Sequence, residues 1–295
     1  MKKLLFIGGL LLFVSAIWAA ARHKTRQAAD GLKRIALSSG VELEYMETGK
    51  PGGIPIIFLH GICDSWHSFE EVLKILPSGF HGFAISQRGH GDSESPPTGY
   101  TPRDFASDIA AFIKQKKLGT AIVVGHSMGG IHAQQFVLDH PDLAKGIVII
   151  ASDPVFSDNP GMPEFYGEVM KMKGTISRPF MEDFQKATLA RPIDSAYFEL
   201  LVKEGMKPTV EVFQAAFTGL MKTDLSSRLA EISKPVLVLW GDKDSFCDKP
   251  GQDQFEKGLR NGKLIVYQGH GHALHWEDPE RVVKDIAKFS ETMAK

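Results

Sequence analysis

The sequence predicts an α/β fold: a mostly parallel sheet flanked by helices, interrupted once by an inserted helical stretch. Three observations point there. Short β-branched runs alternate with longer amphipathic ones from Arg34 onward, the pattern of strands buried beneath helices. Between residues 153 and 233 that alternation stops, and only helical patterns broken by Pro and Gly remain. The run "VVGHSMGG", residues 123–130, leaves an apolar strand through one serine set between glycines.

Each element has its own justification. "RIALSS" and "VELEYME" around Gly40 read as an opening hairpin. "IPIIFLH" (54–60) and "GFAIS" (82–86) read as buried strands, with "FEEVLKIL" as the helix between them. From Asp104 to Lys117, Phe105, Ile109, Phe112 and Ile113 recur at helical spacing. "TAIVVGH" (120–126) is the next strand, His132–Asp139 a helix ended by His140-Pro141, and "AKGIVIIAS" (144–152) another strand. The stretch from 153 to 233 holds "PEFYGEVMKMK", "PFMEDFQKATLA", "SAYFELLVKEG" and "TVEVFQAAFTGLMK", all helical. "PVLVLWG" (235–241), a helix near "DQFEKGL", the strand "KLIVY" (263–267) and a helix from Asp278 complete the chain. The expected organisation is therefore a core of residues 32–152 and 234–295 around a helical insertion, 153–233.

Composition narrows the function. With 43% hydrophobic and 23% charged residues in 295, the chain has ordinary globular composition, and a net charge of -1 gives no electrostatic reason to expect nucleic acid. The expected partner is a small molecule. Lys2 and Lys3 precede an uncharged run, Leu4–Ala21, followed by Arg22, Lys24 and Arg26. Such a segment reads as a signal peptide or an N-terminal membrane anchor over residues 1–21, with 22–31 as linker. This predicts export or membrane association through residues 4–21. Two cysteines, Cys63 and Cys247, are too few for a disulfide framework and are expected as free thiols.

The chemistry centres on Ser127. A serine hydroxyl is a weak nucleophile at neutral pH and needs a histidine base, itself held by an acid. Glycines at 125 and 129 permit a tight turn between strand and helix, and the helix behind Ser127 directs free N–H groups toward a developing oxyanion. The loop "FLHGICDSW" (58–66) offers the Ile62 N–H as one oxyanion donor, and Met128, after the nucleophile, offers the other. "LWGDKDSF" and "YQGHGHALHWEDPE" follow the last two strands and supply Asp244 and His272, with Asp242 and Asp153 as alternative acids. His270 and His275 read as supporting residues, because "HGHALH" lacks the helical i, i+4 pair of common zinc proteases; no metal or other cofactor is expected. "SQRGHGDSESP" (86–96) reads first as structural, with Arg88 tying loops together.

His60-Gly61, Arg88-Gly89-His90-Gly91-Asp92-Ser93, Gly125-His126-Ser127-Met128-Gly129, Gly241-Asp242-Lys243-Asp244 and Gly271-His272 occur in the order seen in the α/β-hydrolase superfamily, which the chain resembles over nearly everything after its N-terminal segment. The resemblance implies the α/β-hydrolase fold with a helical cap and selects Asp244 as the acid and His272 as the base. It also implies hydrolysis of a carboxylic ester or lactone through an acyl-enzyme, without a cofactor. One departure is Ser86, where many relatives carry an acid. A serine nucleophile argues against dehalogenase and epoxide-hydrolase chemistry, which needs a carboxylate there. Perhydrolase or haloperoxidase chemistry and amide or macrolide-lactone hydrolysis are alternatives; a silent small-molecule-binding protein on the same fold is the alternative of another class. His60, Phe165, Tyr166, Phe213 and Phe217 are candidate substrate contacts, with Met162, Met170 and Met221 beside them; core packing is the competing role for each.

Overall fold

A computed structural model describes residues 31–293, and from Lys33 onward the chain forms one compact unit. Eight strands make one sheet: β1 (Leu32–Ala36), β2 (Glu42–Gly49), β3 (Ile54–Leu59), β4 (Phe80–Ile85), β5 (Ala121–His126), β6 (Ala144–Ile150), β7 (Val236–Gly241) and β8 (Gly262–Tyr267). Their spatial order is β1-β2-β4-β3-β5-β6-β7-β8. β2 runs antiparallel to β4, and every pairing from β4 through β8 is parallel. Strands β4, β5 and β7 are buried along their whole length, as continuous apolar runs in a sheet covered on both faces must be.

Helices α1 (Glu70–Lys74), α2 (Pro102–Gln115), α3 (Met128–Asp139), α8 (Lys249–Gly258), α9 (Leu274–Glu277) and α10 (Pro279–Glu291) belong to the connections between strands and to the C-terminal segment. Thr101 starts α2 with a capping box: its hydroxyl accepts from the Asp104 N–H, and the Asp104 carboxylate accepts from the Thr101 N–H at 2.9 Å. Arg88 donates from Nε and Nη2 to the Asp108 carboxylate of α2, both at 2.7 Å, and thereby pins the 86–93 loop. The departure at Ser86 has a local compensation. Its hydroxyl donates to Glu44 of β2 at 3.1 Å and accepts from the Trp66 N–H at 3.2 Å, so a neighbouring strand supplies the acid.

Between β6 and β7 lie α4 (Met162–Lys171), α5 (Arg178–Ala187), α6 (Ser195–Gly205) and α7 (Val210–Met221). Ser177, Asp194 and Thr209 cap the last three by accepting from first-turn amides. One apolar cluster joins Ile62 and Met128 to Phe156, Val202, Phe213 and Phe217, so these helices pack against the loops that leave β3 and β5.

The predicted N-terminal segment, residues 4–21, lies outside the described residues. Among the described residues no helix is long and apolar enough to cross a membrane. The expectation of export or anchoring therefore has no structural counterpart here, and the localisation reading is corrected accordingly.

Candidate active site

Ser127 sits between β5 and α3 with φ 51° and ψ −119°, a backbone conformation that side-chain-bearing residues rarely adopt. The turn is held from both sides. The Ser127 N–H donates to Ile150 O at 2.9 Å, and Gly130 N–H donates to Ser127 O at 2.8 Å. A Cβ on Gly125 would lie 2.6 Å from Gly130 N, and one on Gly129 would lie 2.8 Å from His60 O. Backbone passes where those side chains would be, and a Cβ on Gly130 would lie 2.5 Å from Ser152 Cβ, which is why the first turn of α3 carries two glycines despite their poor helix propensity. The helix starts at Met128, four residues earlier than its sequence pattern suggests.

His272, beyond β8, brings Nδ1 to 3.0 Å from both oxygens of Asp244, beyond β7. A carboxylate only accepts, so Nδ1 carries the proton and Nε2 is left as a lone pair. Asp244 Oδ1 also accepts from the amides of Phe246 at 2.8 Å and Cys247 at 3.0 Å. The two alternative acids are occupied elsewhere: Asp242 accepts from Gly269 N–H, and Asp153 from Asn159 and Gln252. His270 contacts Arg191 and Gln268 O, and His275 lies 3.0 Å from the Ser68 hydroxyl, so neither shares the Asp244 carboxylate. Ser127 and His272 are only 7% and 4% exposed, so both side chains lie beneath the protein surface.

Among the described residues neither the Ile62 nor the Met128 N–H is engaged by another protein group. The turn carrying Ile62 is fixed by its neighbours. Gln87 N–H donates to His60 Nε2 at 2.9 Å, so His60 Nδ1–H donates to Gly61 O at 2.7 Å. Asp64 N–H donates to the same carbonyl at 3.3 Å, and Cys63 takes a left-handed φ of 61°. His60 is thus a buried structural residue with both nitrogens occupied, and burial beside His90 holds its imidazole well below the usual histidine range.

Behind this turn, His126 donates from Nε2 to His272 O at 3.2 Å. Its bare Nδ1 has no partner and lies 4.0 Å from Asp64 Oδ2. Burial pushes the Asp64 carboxyl up to about 6 against hydrogen bonds from Gln185 and Ser68 that favour the anion. Among the described residues, the donor atoms that could surround a metal ion are those of Asp244, Cys247 and His272, within 4.8 Å of one another. The hydrogen bonds above already occupy the Asp244 and His272 atoms, and the Cys247 thiol donates to Ala151 O at 3.4 Å.

An apolar cleft of about 370 Å³ opens on the Phe246 side of His272, lined by Met162, Phe165, Phe180, Phe184, Ala187 and Phe246, with Asp183 and Ser245 among its polar contacts. Phe165, Phe180 and Phe184 are mutually near-parallel, within 8°. The Phe246 ring packs edge-on to Phe184 and lies 5.0 Å from the His272 ring. Of the candidate contacts, Met162 and Phe165 line the cleft, and Met170 lines a separate groove. Tyr166 bonds Thr218, and Phe213 and Phe217 are buried among the inserted helices. Phe180, Phe184 and Phe246 were not foreseen; the i, i+4 spacing of the first two on α5 was the available signal. Neither the cleft nor that larger groove, of about 600 Å³ between residues 97–102 and α7, is lined by Ser127, Asp244 or His272; the cleft is the one whose wall, through Phe246, touches the His272 ring.

Comparison with known proteins identifies the family. The sequence profile described as "alpha/beta hydrolase fold" matches residues 54–279. The AB hydrolase superfamily protein YisY of Bacillus subtilis is 32% identical over 250 residues, 81% of this chain and 92% of that protein. The bifunctional esterase/perhydrolase DCH of Acinetobacter calcoaceticus is 27% identical, covering 86% of this chain and 98% of its own. Among solved structures, the esterase RhEst1 from Rhodococcus sp. ECU1013 superposes with a TM-score of 0.80 at 24% identity, over 90% of this chain and all of its own (100%), a likeness of fold. With its profile match running through both halves of the sheet, the chain belongs to the α/β-hydrolase family.

Proposed function

We propose that this hydrolase cleaves a carboxylic ester or lactone bearing a hydrophobic group, through an acyl-enzyme on Ser127. The observation that carries the reading is the Asp244–His272 pair, which leaves Nε2 unprotonated on a loop whose His272 carbonyl accepts from His126, the residue that precedes the strained Ser127 turn. In this reading His272 Nε2 takes the Ser127 proton as Oγ attacks the carbonyl carbon. Asp244 stabilises the resulting imidazolium, and the Ile62 and Met128 N–H groups receive the oxyanion. His272 then protonates the leaving alkoxide, and water, deprotonated by the same histidine, releases the acid. Each oxyanion donor of this kind is worth about 2.7–4 kcal/mol.

Residues 153–233 act as the cap in this reading, and the aromatic cleft takes the apolar part of the substrate. A peroxide-using variant of the reaction is a branch to test, since the Acinetobacter relative is named for both activities. The experiment is hydrolysis of p-nitrophenyl esters from acetate to decanoate by the wild type and Ser127→Ala, with and without hydrogen peroxide. Turnover abolished by Ser127→Ala supports serine hydrolysis. Turnover that survives it, or no turnover of any ester by folded wild type, overturns the reading.

A further inference from the structure

Seven residues at the end of α5 touch all three loops of the site. Gln185 Nε2 donates to Asp64 Oδ1 at 3.0 Å, in the turn that carries Ile62. Ala187 O accepts from the Ser245 hydroxyl at 3.0 Å, next to Asp244. Thr188 O accepts from Ala273 N–H at 3.0 Å, next to His272. Glu277 closes the set: Oε1 accepts from the amides of Ala190 at 2.6 Å and Arg191 at 3.0 Å, while Oε2 accepts from Gly271 N–H at 3.0 Å. Packing leaves no slack, since a Cβ on Gly271 would lie 2.6 Å from both Ala190 N and Thr188 O.

Gln185 is the informative residue. α5 buries only Met181 and Gln185, and Gln185 is 1% exposed. An apolar side chain would seal that face equally well, whereas a buried amide costs free energy unless it is hydrogen-bonded. Its donor goes to Asp64, 121 positions away, and so sets one register between this helix and the Ile62 turn. The same helix forms one wall of the aromatic cleft through Phe180 and Phe184.

We propose that residues 185–191 form a strap that aligns the Ile62, Asp244 and His272 loops, with Gln185 and Glu277 as positioning residues. A group that fills the cleft on α5 then raises the rate of the chemical step and not affinity alone. The kinetic half rests on the hydrolase reading above; the alignment half does not. Its physical basis is that loops leaving three different strands must be matched to within a fraction of an ångström, where a misplacement of about 1 Å costs on the order of 100-fold in rate. Binding energy from a non-reacting group raises kcat only when it is expressed in the transition state.

The test uses the full chain with Gln185→Leu, which keeps volume and removes the donor, and Glu277→Gln, which leaves one acceptor oxygen where Gly271 N–H and the Ala190 and Arg191 amides need two. Turnover of p-nitrophenyl octanoate and acetate is read beside amide hydrogen exchange. The expected result is a wild-type kcat on octanoate roughly tenfold above that on acetate, and in both variants an excess reduced to about threefold or less with KM for octanoate little changed. Exchange rises in both variants at residues 269–273, and in Gln185→Leu also at 61–66, outside the mutated segment. Asp64→Asn, which keeps an oxygen for Gln185, retains the excess, and Asp64→Ala loses it. An unchanged kcat excess, a loss confined to KM, or faster exchange limited to residues 185–191 overturns the proposal. If no ester is turned over, the hydrolase reading fails separately, and exchange at the distant loops alone upholds or overturns the strap.

Discussion

His272 Nδ1 stands 3.0 Å from each carboxylate oxygen of Asp244, on loops that leave the adjacent strands β7 and β8. The carboxylate holds one tautomer, and that tautomer decides whether Nε2 can accept a proton. Asp244→Asn keeps the shape but can present N–H to Nδ1, which moves the imidazole proton to Nε2. The expected result is a fall in kcat of about 10³–10⁴-fold with KM nearly unchanged. Steady-state kinetics on a chromogenic ester checks it. A loss below tenfold would mean that Asp244 is not the acid that holds His272.

The Ser127 turn makes a stability prediction of its own. A methyl group at Gly125 would overlap the backbone of Gly129 and Gly130, which cannot rotate away. Gly125→Ala is therefore expected to cost about 3–5 kcal/mol, the range of severe core disruptions, and to lower Tm by about 10 °C. Gly167, within α4, has nothing within 4 Å of the added carbon. Gly167→Ala should instead stabilise by about 0.5–1 kcal/mol through helix propensity. Thermal melts of the two variants against wild type read both signs.

The sequence is legible where local pattern and tertiary demand coincide. Strands such as "AIVVGH" read correctly because a sheet covered on both faces demands uninterrupted apolar residues; Ser127 and Asp244 follow such runs, whereas His272 follows β8, a partly exposed edge strand. The start of α3 was not legible, since Gly129 and Gly130 oppose helix locally and are required only by packing against residues 59–60 and 152. The cleft was half legible. An aromatic residue on an amphipathic helix carries the same pattern whether it faces the core, as Phe213 and Phe217 do, or lines a cavity, as Phe180 and Phe184 do. The Gln185–Asp64 bond spans 121 positions and has no local signal at all.

Both cysteines are free and fully buried, and burial pushes each thiol well above its ordinary range, with Asp64 beside Cys63 and Asp153 and Asp244 beside Cys247 acting in the same direction. Thiolate is the reactive form, so neither thiol should react in the native state. Titration with a disulfide reagent at pH 8 is expected to find no accessible thiol in folded protein and two after denaturation. Rapid native labelling of either would contradict the packing around the Ile62 turn or the Asp244 loop.

Asp153 gives a pH dependence with a definite sign. Its carboxyl is buried, and that burial, reinforced by the Asp244 and Asp248 charges, raises it to about 7 despite the hydrogen bond from Asn159. A carboxyl raised in the folded state binds its proton more tightly there than in the unfolded chain. Its stabilising contribution is complete below about pH 4 and is lost as pH climbs toward 7. Asp64, raised to about 6, adds in the same direction over the lower part of that range. In Asp153→Asn the group is neutral at every pH, and the Gln252 carbonyl oxygen, which has no partner, can turn to accept from the new amide. Urea unfolding at pH 5 and pH 8 should therefore show the wild type losing more stability than Asp153→Asn, by on the order of 3 kcal/mol. Equal losses in the two proteins would show that Asp153 is already ionised at pH 5, with its two amide donors outweighing its burial.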